Sequence, residues 1–365
     1  MTARDPDTLV PGQLDLEELR RDVDTMLRRF FQSKAAAAAT RRLPGQAAQV
    51  LKEFLAAGGK RLRPALCGLG WQAATGTPPP PPVVRVAAAL EMFHAFCLIH
   101  DDIMDNSTTR RGAPTVHRAL AQQYAARRPG PLAERLGVSC ALLIGDLALV
   151  WSSELLHTAG LTSRHLDAVL PVMDAMRTEV IYGQYLDVTA TGETTPGLAR
   201  ALAIIRYKTA KYTVERPLHI GAALAGASPS LLEHLSAYGM PLGEAFQLRD
   251  DLLGVFGDPA STGKSRLEDL REDKHTVLAA LALREASPGQ ADTLHRLLGN
   301  PHLTEAEADT VRSVLTATGA RAQVEEMIAK RRERALQALA SAPDIHPDAR
   351  PLLREFADTA TRRTS

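Results

Sequence analysis

From Gly45 onward, apolar residues recur in steps of three and four, and alternating β-branched runs are nearly absent. That spacing is the 3.6-residue period of amphipathic helices, so the pattern predicts an all-α protein. Proline and glycine punctuate it. Pro78–Pro82 stops one helix and starts the next, while Arg128-Pro129-Gly130-Pro131 and Thr191–Pro196 read as loops. Pro217 falls inside a helical stretch and should kink it. The chain before residue 44 is polar, with one charged helical piece from Leu16 to Phe31 followed by an alanine run. Residues 1–43 are therefore expected to be a partly disordered leader packed loosely on the body, with a docking tail for another protein as the alternative. Residues 44–365 read as one large helical domain, and the stretch from Ala260 to Asp273 reads as polar and mobile.

Two aspartate clusters interrupt this apolar texture: His100-Asp101-Asp102-Ile103-Met104-Asp105 and Arg249-Asp250-Asp251-Leu252-Leu253-Gly254. Burying a carboxylate costs several kcal/mol unless it is paired, hydrogen-bonded or bound to a cation. In the first cluster the apolar stripe Val86, Leu90, Phe93, Cys97 runs on into Asp101 and Asp105. Those two lie one turn apart on one helix face, with Asp102 rotated by about 100° towards its flank. Such a face offers hard oxygens to Mg²⁺ while leaving positions on the ion for phosphate oxygens. Arg110 and Arg111 follow in a loop shaped by Gly112 and Pro114, and their forks suit phosphate. A solvated helix end is the bland reading. His100-Asp101 also spells the His-Asp doublet of some metal-dependent phosphohydrolases, with His94 and His117 nearby, but that chemistry has no use for a second carboxylate cluster.

Charge and cysteine content narrow the class. The 365 residues carry 43 basic and 42 acidic side chains, a net charge of +1, so there is no global field to attract nucleic acid. Three scattered cysteines support neither a disulfide framework nor a CxxC metal site, and a cytoplasmic setting is expected. The N-terminal residues lack the apolar core of a signal peptide. The best apolar run, Val138 to Trp151, is broken by Asp146, so stable membrane insertion is not expected.

Further cations are placed suggestively. Gly58-Gly59-Lys60-Arg61-Leu62-Arg63-Pro64 sets Lys60 and Arg63 beside a flexible glycine pair. Lys208-Thr209 sits in an apolar helix, Gln247 lies one turn before Asp251, and Lys264 and Lys274 follow the second cluster. Taken in order, these strings resemble the trans-isoprenyl diphosphate synthases, or polyprenyl synthetases. The resemblance covers roughly residues 45 to 280 strongly and the C-terminal helices loosely. It implies an isoprenoid-synthase-type helical bundle around a deep central cavity, with residues 44–365 as the catalytic domain of a homodimer. By position, Asp101, Asp105 and Asp250 would ligate Mg²⁺, three ions in all, with Asp102 and Asp251 in support. Arg110, Lys208 and Lys264 would contact the allylic diphosphate, assisted by Thr209, Gln247 and Lys274. Lys60, Arg63, His94 and Arg111 would hold isopentenyl diphosphate without metal. Gly254 departs from the family pattern, where many relatives carry a third aspartate, and that puts the support of the third ion in doubt.

The implied reaction joins isopentenyl diphosphate to an allylic diphosphate, head to tail and in trans. In relatives, an aromatic residue at the fifth position before the first motif stops growth at short chains. Phe96 stands there, with the small Cys97 at the fourth position and Phe93 deeper. Geranylgeranyl diphosphate is the expected product and farnesyl diphosphate the runner-up. A class I terpene cyclase and a non-catalytic partner subunit are the competing classes.

Overall fold

The computed structural model describes residues 14–192, 197–257, 266–272 and 274–362. Helices follow one another along the chain: α1 (Leu16–Thr40), α2 (Gln46–Ala56), α3 (Leu62–Thr75), α4 (Pro81–Met104), α5 (Val116–Ala125), α6 (Gly130–His157), α7 (Ser163–Val188) and α8 (Leu198–Ile204). A π-helical segment (Ile205–Glu215) leads into α9 (Arg216–Leu224) and α10 (Pro229–Phe256). Then come α11 (Glu268–Arg271), α12 (Val277–Glu285), α13 (Pro288–Leu297), α14 (Glu305–Ala317), α15 (Ala320–Ala340) and α16 (Ala349–Arg362). Among the described residues the one sheet is a ribbon of β1 (Thr109–Arg110) and β2 (Ala113–Pro114). The all-α reading holds.

Cα packing divides the chain into two compact units. The first comprises residues 1–172, 217–232 and 343–353, and the second comprises 173–216, 233–342 and 354–365.

In the first unit, α4 packs mainly on α6 and also on α3 and α1. Pro81 opens α4 at N1, where a missing N–H is harmless and the fixed φ is already helical. Val86, Leu90 and Phe93 are fully buried, as the stripe predicts. α4 and α6 are long and apolar enough to cross a membrane by length and composition, but 67% of α4's most apolar stretch is buried within the protein. For α6 the share is 39%, and Leu142, Leu143 and Val150 face outward.

The loosely packed leader expected for residues 1–43 is not what Leu16–Thr40 forms. These residues make one continuous helix, started by the Asp15 side chain accepting from the Glu17 and Glu18 amides. Leu19, Val23, Leu27, Phe30 and Phe31 are buried, and the helix packs on α3 and α4. Trp151 of α6 meets Phe30 and Phe31 edge-on, each at 5.8 Å between ring centroids.

The second unit has its own core. Leu248, Leu252 and Val255 of α10 pack with Leu278 and Leu281 of α12, Val311 of α14 and Val324 of α15. Leu267 and Leu270 join this core, so residues 266–272 are anchored where a mobile segment was expected. Residues 258–265 and 273 lie outside the described residues, and with them the candidate Lys264. Ahead of Pro217 the helix opens into π geometry over Ile205–Glu215. Proline has no N–H to return to the preceding turn.

Candidate active site

In the first unit the site is built at the C-terminal end of α4. Asp102 is the deepest of the three carboxylates, 1% exposed, whereas Asp101 and Asp105 are partly open. The stripe in the sequence points Asp101 and Asp105 inward, and the structure turns that order around. The reason is Arg110. β1 and β2 pair with Thr109 opposite Pro114 and Arg110 opposite Ala113, leaving Arg111 and Gly112 as a two-residue turn. Both turn residues are left-handed, at φ 54° and 76°, as this tight hairpin turn requires. The ribbon folds Arg110 back onto α4. Its Nε lies 2.8 Å from both oxygens of Asp102 and its Nη2 lies 2.6 Å from Oδ1. The same Nη2 is 3.7 Å from Asp101. Burial pulls the Arg110 pKa down, but the hydrogen bonds and charge of Asp102 outweigh it and leave the pKa raised.

Beside this pair lies a crowd of positive charge. His94, two turns before Asp101 on α4, is held well below its ordinary pKa, first by burial and then by Arg63, Arg110, Arg111 and Arg61. Its imidazole is therefore neutral at neutral pH. The Arg111 pKa is also lowered, chiefly by burial, with Arg61 and Arg110 adding to the fall and Glu91 opposing it. Arg111 donates to the Gly58 carbonyl, and a Cβ on Gly59 would stand 2.9 Å from its Nη2. The glycine pair thus lets backbone and guanidinium meet.

Arg61 has a structural duty. Its Nη1 donates to Glu91 at 2.6 Å, its Nε to Asp24 at 3.0 Å and its Nη2 to the Leu55 carbonyl at 2.7 Å. It ties α1, α2 and α4 to the loop of Lys60 and the start of α3, which carries Arg63. Of the sequence candidates, Arg63, His94, Arg110, Arg111 and the aspartates at 101, 102 and 105 are brought together here. Lys60, exposed on the same loop, passes its carbonyl to Arg20 at 3.1 Å.

In the second unit a chain of side chains links the π-helical segment to α10. Thr209 donates to Gln247 at 2.7 Å, and Gln247 donates to Asp251 at 2.8 Å. Lys208 Nζ lies 2.6 Å from Asp187 of α7, a partner the sequence reading did not include. Asp187 is one of four acidic residues on α7, and nothing in the local sequence sets it apart. Two glycines let other helices touch the π backbone. A Cβ on Gly183 would stand 2.5 Å from the Lys208 nitrogen, and one on Gly243 would stand 2.5 Å from Ala210 Cα. The carboxyl of Asp251 is pushed up to about 7, mainly by burial, with Asp269 and Asp250 adding to the rise. The Gln247 hydrogen bond and the Lys274 charge work against it. Lys274 lies 2.7 Å from Glu272 and 3.3 Å from Asp269.

The polyprenyl synthetase family model matches residues 44–316. The chain belongs to the polyprenyl synthetase family. A solved geranylgeranyl pyrophosphate synthase from Corynebacterium glutamicum, complexed with isoprenyl diphosphate and magnesium, superposes with a TM-score of 0.91 at 41% identity, over 96% of this chain and 100% of that one. The geranylfarnesyl diphosphate synthase of Aeropyrum pernix is 31% identical over 88% of this chain and 94% of its own. The nonaprenyl diphosphate synthase of Mycobacterium tuberculosis is 31% identical over 82% and 83%. Relatives with such different products show that membership does not set chain length.

A polyprenyl synthetase implies divalent metal, and the residues can be judged against it. Among the described residues no three His, Cys, Asp or Glu side chains gather into a ready-made metal shell. Asp101 and Asp105 are nevertheless one turn apart and partly exposed, and Asp251 is a desolvated carboxyl with like charges beside it. That donor set fits Mg²⁺ brought in with a diphosphate, because this ion is usually held by one or two carboxylates plus substrate phosphates.

Proposed function

We propose that this polyprenyl synthetase condenses isopentenyl diphosphate with an allylic diphosphate to give geranylgeranyl diphosphate. The observation that carries the reading is the charge pattern at the end of α4. Neutral His94 feels the charges of Arg61, Arg63, Arg110 and Arg111, and the partly exposed carboxylates of Asp101 and Asp105 lie towards the end of the same helix. Crowded cations favour a polyanion that needs no metal, which suits isopentenyl diphosphate at Lys60, Arg63, His94 and Arg111. Asp101, Asp105 and Asp250 are the proposed Mg²⁺ ligands, three ions in all, with Asp102 and Asp251 in support. Bound Mg²⁺ would neutralise the charge that grows on the departing pyrophosphate. Asp102 fixes Arg110, whose remaining N–H groups are left to contact that pyrophosphate along with Lys208, Lys264 and Lys274. Thr209 and Gln247 orient each other through their 2.7 Å hydrogen bond, and π geometry leaves backbone carbonyls near them to steady positive charge on the allylic carbon.

Product length is assigned to α4. Phe96 lies five residues before Asp101, about 7.5 Å down the helix axis. Its ring is held between Phe93, at 5.4 Å, and His100, at 4.7 Å between centroids. His100 is fixed in turn against the Leu142 carbonyl of α6 at 3.1 Å. A ring braced on both sides makes a firm floor, and Cys97 beside it leaves room above. The deciding experiment supplies isopentenyl diphosphate with dimethylallyl, geranyl or farnesyl diphosphate and Mg²⁺, and reads chain length by mass spectrometry. Geranylgeranyl diphosphate is expected, and Phe96→Ala should lengthen it. Product that stops at farnesyl diphosphate, or an unchanged length in the variant, refutes the assignment. Turnover of an allylic diphosphate alone would point to a cyclase instead.

A homodimer is proposed as well. Leu143 and Val150, seven residues apart on one stripe of α6, are 68% and 61% exposed. A protein contact would cover these exposed side chains, and a second copy of this chain is the partner the family resemblance implies.

A further inference from the structure

The second aspartate motif lacks a side chain at position 254, and another residue occupies that space. A Cβ built on Gly254 would stand 1.7 Å from Oδ2 of Asp269 and 2.8 Å from its Cγ. The Asp269 carboxylate therefore rests on α10 one turn beyond Asp250, where i, i+4 spacing sets a side chain beside the first aspartate. It arrives from α11, whose neighbours Leu267 and Leu270 are buried in the core. Lys274 stands 3.3 Å from its Oδ1. Asp251, Asp269 and Lys274 line a cavity of about 30 Å³, enough for ordered water.

We infer that Asp269 is a positioning residue that supplies the carboxylate missing at 254 and helps to orient a divalent cation with its diphosphate. The inference rests on the metal-binding reading of Asp250 and Asp251 given above. Glycine at 254 leaves room for that carboxylate, and a side chain there would displace it. Partners of this kind, acting through a ligand or its water, typically change metal affinity by ten- to a hundredfold.

The test titrates Mg²⁺ plus inorganic pyrophosphate into the full-length protein by calorimetry. Asp269→Asn, nearly isosteric, is expected to weaken binding about ten- to a hundredfold. It should leave the unfolding temperature in EDTA and the KM for isopentenyl diphosphate unchanged. Gly254→Asp alone should also weaken binding, through the collision. Gly254→Asp with Asp269→Ala, which moves the carboxylate back to α10, should recover most of the affinity that Asp269→Ala loses. Wild-type affinity in Asp269→Asn overturns the inference, as does a folded exchange variant no better than Asp269→Ala. If the wild-type protein itself shows no Mg²⁺-dependent pyrophosphate binding, the metal reading of the motif falls and takes the inference with it. Binding by the wild type that is unmoved in Asp269→Asn sinks the inference alone.

Discussion

Replacing Arg110 with glutamine should destabilise the first unit by about 3 kcal/mol, because it removes the arginine partner of a buried carboxylate. Three contacts of 2.6 to 2.8 Å join the two side chains, and Asp102 is 1% exposed. Breaking a buried ion pair by removing one partner costs about 3–5 kcal/mol. Arg110 is 20% exposed, so water reaching the vacated site relieves part of the penalty and favours the lower end of that range. A loss of 3 kcal/mol raises the unfolding constant roughly 150-fold at about 1.4 kcal/mol per decade. Trp71 and Trp151, the two tryptophans of the chain, both belong to the first unit. Urea unfolding followed by tryptophan fluorescence therefore reads that unit directly. Asp102→Asn with Arg110→Gln should lose less than Arg110→Gln alone, because the stranded charge goes with its partner. A loss below about 1 kcal/mol for Arg110→Gln, the range of a surface pair, would refute the argument. So would a double variant that loses as much as the single one.

The same pair shows where the sequence stops being readable. The helix carrying the first motif, its proline start and its apolar stripe were all legible, because they are set by residues a turn or two apart. The depth of Asp102 was not, since it depends on a hairpin that returns Arg110 from the next element. Residues 16–40 misled for a related reason. The apolar spacing at Leu16, Leu19, Val23 and Leu27 was legible, but the faces of α3 and α4 that bury it come from later in the chain. The π-helical segment carries no local signature in Lys208, Thr209 or Lys211. Its close neighbours, Gly183 and Gly243, come from other helices. Asp187 and Asp269 were missed because one pairs with Lys208 and the other overlies Gly254, both across long stretches of chain. Residue types forecast the chemistry, while partners brought from a distance decide which carboxylate is locked and which stays open.

Gly243→Ala should push Ala210 and displace Thr209. Turnover should fall by on the order of 10²-fold, as small misplacements of reacting groups do, with the KM for isopentenyl diphosphate little changed; near-normal turnover would refute the close-approach argument. Leu143→Glu should shift the protein from dimer to monomer in sedimentation equilibrium, and a persistent dimer would exclude that face of α6. The pH dependence of the metal-free protein tests Asp251. Its carboxyl is raised from 3.8 to about 7 in the folded state, mainly by burial. The folded state therefore holds a proton that the unfolded state has released between those values, and linkage makes stability fall as pH rises through that window. This contribution is complete below about pH 4 and gone above about pH 7, the reverse of a salt-bridged carboxylate. In EDTA, the wild type should lose stability relative to Asp251→Asn across that interval, by at most about 1.4 kcal/mol per pH unit. Binding of Mg²⁺ and pyrophosphate near pH 6 should release more protons from the wild type than from Asp251→Asn, because cations bound beside Asp251 favour its ionised form. Parallel stability curves for the two proteins between pH 4 and 7 would show that Asp251 is already charged in the folded state, and the burial argument for this site would fail.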